Sequence, residues 1–128
     1  MKIYTDIEQS KKLAEFLPLE SADMVFAYCD SMDEYTTHPR VLESSKNFDI
    51  YKRDIPCWSL TALLDVLPVS CDDGHHCLAL INPNPNDKTE WLCAYEDCKG
   101  DLIMECYADN SVDVCYEMIL KLHELKLL

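Results

Sequence analysis

Leu102-Ile103-Met104-Glu105-Cys106-Tyr107, then Asp109-Asn110-Ser111, then Val112-Asp113-Val114-Cys115-Tyr116-Glu117-Met118-Ile119-Leu120-Lys121-Leu122 is the stretch on which the fold depends. In its first part Leu102, Met104 and Cys106 alternate with Ile103, Glu105 and Tyr107. A period of two belongs to a strand, and the first set is expected to face the core. Asp109-Asn110-Ser111 supplies caps. Beyond them Val112, Cys115, Ile119 and Leu122 form one helical stripe, widened by Met118 and Leu125, which predicts a helix over residues 111–126. Asp113 and Glu117 lie early in it and Lys121 and Lys126 late, as the helix dipole favours. A strand running straight into a long amphipathic helix predicts a helix packed across an antiparallel sheet.

Upstream, Cys77–Ile81 and Trp91–Tyr95 read as two further strands. Asn82-Pro83-Asn84-Pro85-Asn86-Asp87 and Asp97-Cys98-Lys99-Gly100-Asp101 are the turns, so a meander is the simplest topology. Ser59 caps a short helix over 59–67 carrying Leu60, Leu63, Leu64 and Leu67, which Pro68 stops. Trp58, just before that cap, reads as a core residue. Thr5 and Glu8 have the form of a capping box for a helix over 6–17, with Ile7, Ser10, Ala14 and Leu17 on one face and Pro18 ending it. Met24–Cys29 reads as a strand, and residues 30–55 as a loop-rich segment with a short strand at Phe48–Tyr51. The expectation is a single α+β domain over residues 1–128. It is an antiparallel β-meander of about three to five strands packed with an N-terminal helix, a short middle helix and a long C-terminal helix.

A chain of 128 residues can bury roughly 65–70% of the surface its unfolded form exposes, enough for a real core. Eleven basic against twenty-four acidic residues leave a formal charge of −13. That charge repels a phosphate backbone, so direct nucleic-acid binding is not expected. Residues 1–55 hold seven Lys/Arg and eleven Asp/Glu (net −4), and residues 56–128 hold four and thirteen (net −9). An acidic field of this kind suits solubility, attraction to a basic protein surface, or imitation of nucleic acid. The opening Met1-Lys2-Ile3-Tyr4-Thr5-Asp6 passes into charged helix without an apolar stretch, and no run approaches membrane-spanning length. A cytoplasmic protein with no membrane partner is the expectation.

Eight cysteines stand at positions 29, 57, 71, 77, 93, 98, 106 and 115. In a cytoplasmic chain they are expected as reduced thiols acting as small core hydrophobes. Cys71, His75, His76 and Cys77 are four potential zinc ligands close together, but no Cys-x-x-Cys and no second pair accompany them. Cys57 beside Trp58 stands near a helix start, where a thiol can be acidified, and the pair resembles the nucleophile segment of papain-like hydrolases. The Cys-Gly-Ser-Cys-Trp pattern is missing, and none of His38, His75, His76 and His123 stands in a diagnostic context. Glu105 and Asp109 could in principle pair as acid and base, though an exposed face and a cap explain them better. Gly74 and Gly100 are the only glycines, so no phosphate-binding loop is present and no cofactor is expected.

Pro56-Cys57-Trp58-Ser59-Leu60-Thr61-Ala62-Leu63-Leu64-Asp65-Val66-Leu67-Pro68, with Val114-Cys115-Tyr116-Glu117-Met118-Ile119-Leu120-Lys121-Leu122-His123-Glu124-Leu125, resembles a family of small proteins from phage and mobile-element regions of gut bacteria. That family has no assigned activity, so the resemblance implies a setting and no residue roles. The function expected from charge and motif content is a small acidic, non-enzymatic protein-binding domain, acting on a partner with a basic surface or on a second copy of itself. The alternative is a thiol- or zinc-dependent enzyme using Cys57 or the Cys71–Cys77 cluster.

Overall fold

Asp6 opens the first helix, and its surroundings explain why the predicted cap is displaced by one residue. The structure, a computed structural model, describes residues 1–42, 53–71, 74–82 and 90–128. Its contacts divide into two compact units, Ile3–Ala62 and Leu63–Leu128 with Met1–Lys2. The expected strand at Phe48–Tyr51 and most of the Asn82–Asp87 turn lie outside the described residues. Among the described residues three α-helices and antiparallel sheets make the fold α+β, as predicted.

In the Ile3–Ala62 unit, helix α1 spans Ile7–Ala14. Asp6 Oδ1 accepts from Gln9 N at 2.8 Å, and Gln9 Oε1 accepts from Asp6 N at 3.1 Å, a reciprocal capping box. Thr5 and Glu8 do not form the predicted box. The Thr5 side chain is fully buried, with Oγ1 2.8 Å from Ser10 Oγ and accepting from Trp58 N at 3.2 Å. A threonine committed to the core cannot cap, so the carboxylate that follows it does. The buried face is Ser10, Leu13 and Leu17, whereas the predicted member Ala14 is exposed.

Strand β1 (Met24–Phe26) is followed by β2 (Tyr28–Cys29), β3 (Glu34–Tyr35), β4 (Arg40–Val41) and β5 (Ile55–Cys57). The run expected as one strand is therefore two, in different sheets: β1 lies between β4 and β5, and β2 pairs β3. The break is at Ala27, whose carbonyl accepts from Thr36 N at 2.9 Å while Asp54 Oδ1 accepts from Tyr28 N at 2.9 Å. The carboxylate takes the N–H that a continuous ladder would need. Pro56, opposite Val25, cannot donate to a ladder, which suits β5 to its edge position. Phe26, Ile55 and Cys57 form a buried cluster against which Tyr4, Ile7, Met24 and Tyr35 pack. Residues 3–5 run antiparallel beside 58–60, with Thr5 N donating to Trp58 O at 2.9 Å and Leu60 N to Ile3 O at 3.2 Å. Trp58 is fully buried, and its Nε1 donates to Ser21 Oγ at 2.9 Å. Ser59 caps helix α2 (Leu60–Val66), its Oγ accepting from Ala62 N at 3.2 Å, within which the division between units falls.

In the second unit, β6 (Ser70–Cys71), β7 (His76–Ile81), β8 (Trp91–Glu96) and β9 (Leu102–Ala108) form an antiparallel meander in sequence order. The short β6 was not legible as a strand. Gly100, at φ +85°, closes the β8–β9 turn with its N–H on Asp97 O at 3.0 Å. The predicted face of β9 is corrected by a bulge. Cys93 lies opposite Cys106 but Tyr95 lies opposite Ile103, so one extra residue is accommodated near Met104, which has φ +52°. Past the bulge the alternation reverses, and Ile103 shares a face with Cys106 where Leu102 and Met104 were expected.

Helix α3 (Ser111–Glu124) packs against β8 and β9. Its N-cap is Asn110, accepting from Asp113 N at 2.8 Å, and Lys2 Nζ reaches Asp113 Oδ1 at 2.7 Å. Val112, Val114, Cys115, Met118, Ile119 and Leu122 are fully buried. Leu125, expected to widen this stripe, is 52% exposed because the helix ends before it. Lys126 at φ +60° donates to His123 O (3.1 Å) and Leu127 N to Leu122 O (2.9 Å), the paired bonds of a Schellman ending.

Candidate functional site

The cysteine weighed as a nucleophile is closed off from solvent. Cys57 is fully buried on β5, its Sγ donating to Thr5 O at 3.4 Å and lying 3.6 Å from Thr5 Oγ1. Burial pushes its thiol up, against the pull of hydrogen bonds from Thr5 and Ser10. A protonated thiol with no exposed surface is poorly suited to nucleophilic attack. His38, the histidine of the same unit, instead places Nδ1 3.0 Å from Tyr4 Oη.

Cys71, His75, His76 and Cys77 belong to the β6–β7 hairpin. Cys71 lies opposite His76 and Ser70 opposite Cys77. Neighbours along a strand point to opposite faces, so Cys77 is turned away from the side shared by Cys71 and His76. Among the described residues no three His, Cys, Asp or Glu side chains converge as a metal site.

None of the eight cysteines, all of them among the described residues, forms a disulfide, and only Cys57, Cys93 and Cys115 are fully buried. Cys77 and Cys98 are exposed, one on the outer side of β7 and one in a turn, so they are not the core hydrophobes expected. Cys93 on β8 and Cys115 on α3 share a hydrogen bond, which together with burial pushes the Cys93 thiol far up. Tyr95, buried beside them, is raised by burial and donates its hydroxyl to Pro68 O at 2.9 Å. Cys93 and Tyr95 keep their protons at neutral pH, the shared hydrogen bond pulls the Cys115 thiol down, and all three side chains act as packing. Glu105 and Asp109 are both exposed, and the cap role expected for Asp109 falls to Asn110.

A concave feature with polar and apolar groups together lies at the start of α1. Tyr4, Asp6, Ile7, Glu8, Phe26 and Thr37 line an open depression of about 380 Å³. The rings of Tyr4 and Phe26 meet edge to face, 6.2 Å between centroids at 71°. Asp6 and Glu8 are exposed, the first held as the helix cap and the second 3.9 Å from Lys11 Nζ. No family model, curated protein or solved structure matches this chain.

None of these lining residues was a candidate by sequence. Ile7 was legible as part of a helix face, but Phe26 and Thr37 reach it only through β1 and the segment after β3. Among the described residues no helix is long and apolar enough to cross a membrane.

Proposed function

We propose that this chain is a small acidic, non-enzymatic binding domain of the cytoplasm that acts by surface complementarity on a protein with a basic face. The observation that carries the reading is the set of exposed carboxylates described in the second unit, Asp65, Glu90, Glu96, Asp101, Glu105, Asp109, Glu117 and Glu124, in a chain of formal charge −13. Such a field raises the encounter rate with a cationic surface and repels nucleic acid. The buried, protonated state of Cys57 supports binding over thiol catalysis. The resemblance to phage and mobile-element proteins puts the partner among host or element-encoded proteins.

The test is capture of partners by the immobilised full chain at low ionic strength, with identification by mass spectrometry and repetition at about 0.5 M salt, where screening is strong. The expected result is enrichment of proteins with basic surfaces, lost at high salt. Retention of no such protein at low salt would overturn the reading.

A further inference from the structure

We propose that Cys93 and Cys106 form a reversible thiol–disulfide site whose co-reactant is a low-molecular-weight disulfide. The two residues lie directly opposite each other on β8 and β9, and among the described strand pairings only this one sets cysteine against cysteine. Cys77 faces Ser70 and Glu96, Cys71 faces His76, and Cys29 faces Glu34. Residues directly opposite in an antiparallel pair have Cα atoms about 4.5–5.5 Å apart and side chains on one face. A disulfide needs Cα atoms about 4.4–6.8 Å apart and Cβ vectors that do not diverge, so the register meets its requirement. The pairing runs without a slip from Trp91↔Ala108 to Cys93↔Cys106, and the bulge comes only beyond it.

The two thiols differ in access. Cys106 is half-buried on the outermost strand of its sheet, and Cys93 is fully buried against Cys115 of α3. A solute therefore meets Cys106 first, and Cys93 is the neighbour that resolves the product. Burial pushes the Cys106 thiol up, and the ammonium of Lys121, whose Nζ donates to Glu105 O at 3.4 Å, offsets part of that rise. In the first step the Cys106 sulfur attacks one sulfur of the co-reactant. Its S–S bond breaks, a mixed disulfide forms, and one small thiol leaves with the Cys106 proton. The Cys93 sulfur then attacks the Cys106 sulfur and displaces the second small thiol, which takes the Cys93 proton. Two protein thiols have lost two electrons, and one disulfide has been reduced to two thiols. In a reducing compartment such a bond is transient, because excess thiol reverses both steps.

The test treats the full chain, at low protein concentration, with excess oxidised glutathione and then blocks remaining thiols. Cleavage before aspartate, without reduction, leaves Cys93, Cys98, Cys106 and Cys115 on separate peptides. The expected product is the Cys93 peptide joined to the Cys106 peptide, separated again by dithiothreitol. Cys77 and Cys98, exposed and without a facing cysteine, are expected to carry glutathione instead. Cys93→Ala is expected to halt the reaction with glutathione on Cys106. Cys106→Ser, at a half-buried position, is expected to keep the parent melting temperature and leave Cys93 unmodified. Glutathione retained on Cys106 of the parent chain, Cys93 joined to Cys115, or Cys106 unmodified under conditions that saturate Cys98 would overturn the proposal.

Discussion

Thr5 Oγ1 and Ser10 Oγ lie 2.8 Å apart, both side chains fully buried, and this pair ties the entry of α1 to the strand that ends at Cys57. The same Thr5 oxygen accepts from Trp58 N, so a single hydroxyl satisfies a backbone donor and a side chain in a region closed to water. Thr5→Val keeps the shape and removes those bonds. Equilibrium urea unfolding should find it destabilised by about 1–3 kcal/mol, because Trp58 N is left unpaired. The Thr5→Val, Ser10→Ala double variant should lose less than the two single losses added, as expected for two members of one network. Additive losses would mean that the pair does not interact.

The displaced cap makes a second prediction. Asp6→Ala should cost about 0.5–2 kcal/mol through loss of the Gln9 bond, while Glu8→Gln should stay within about 0.5 kcal/mol of the parent. The box expected from Thr5 and Glu8 would reverse that order. Thermal unfolding of the two variants side by side decides between them.

At the other end of the chain, Lys126 holds φ +60° in the Schellman ending of α3. A lysine there pays the left-handed penalty of roughly 1–2 kcal/mol and glycine does not, but glycine loses roughly 0.5–1 kcal/mol more in chain entropy on folding, so Lys126→Gly should raise stability by up to about 1 kcal/mol. Lys126→Val, with a branched side chain at the same angle, should lower it. Both are read from urea midpoints at constant slope.

Alkaline stability should follow the buried protons. Burial raises Cys57, Cys106 and Tyr95, and the Cys115 bond together with burial raises Cys93, while that bond lowers Cys115. A group raised in the folded state contributes fully below its unfolded value. Above that value the unfolded chain loses its protons first. The native state then binds more protons, and stability falls as pH rises. The decline should begin near the ordinary thiol value of 9.0 and steepen above it. Cys57→Ala should flatten part of the slope between about pH 9 and pH 11, and an unchanged slope would count against a raised Cys57.

The elements legible in the sequence were those whose signal is local. The α3 stripe from Val112 to Leu122, the Ser59 cap and the three strand runs follow from a period of 3.6 or 2 and from turn residues within a few positions. The misread positions each depended on a distant partner. The Thr5 cap was lost to Trp58 and Ser10, the single strand over Met24–Cys29 was split by Asp54, and the face of β9 was reversed by a bulge against β8.

By itself the sequence determined the α+β class, the long C-terminal helix and the acidic charge, because periodicity and composition need no knowledge of what lies across the fold. Tertiary structure alone decided which thiols are buried, that Cys77 turns away from Cys71 and His76, and that Tyr4, Asp6, Ile7, Glu8, Phe26 and Thr37 line one depression. Those outcomes rest on strand register and on chain segments tens of residues apart. Local preference carries no information about either.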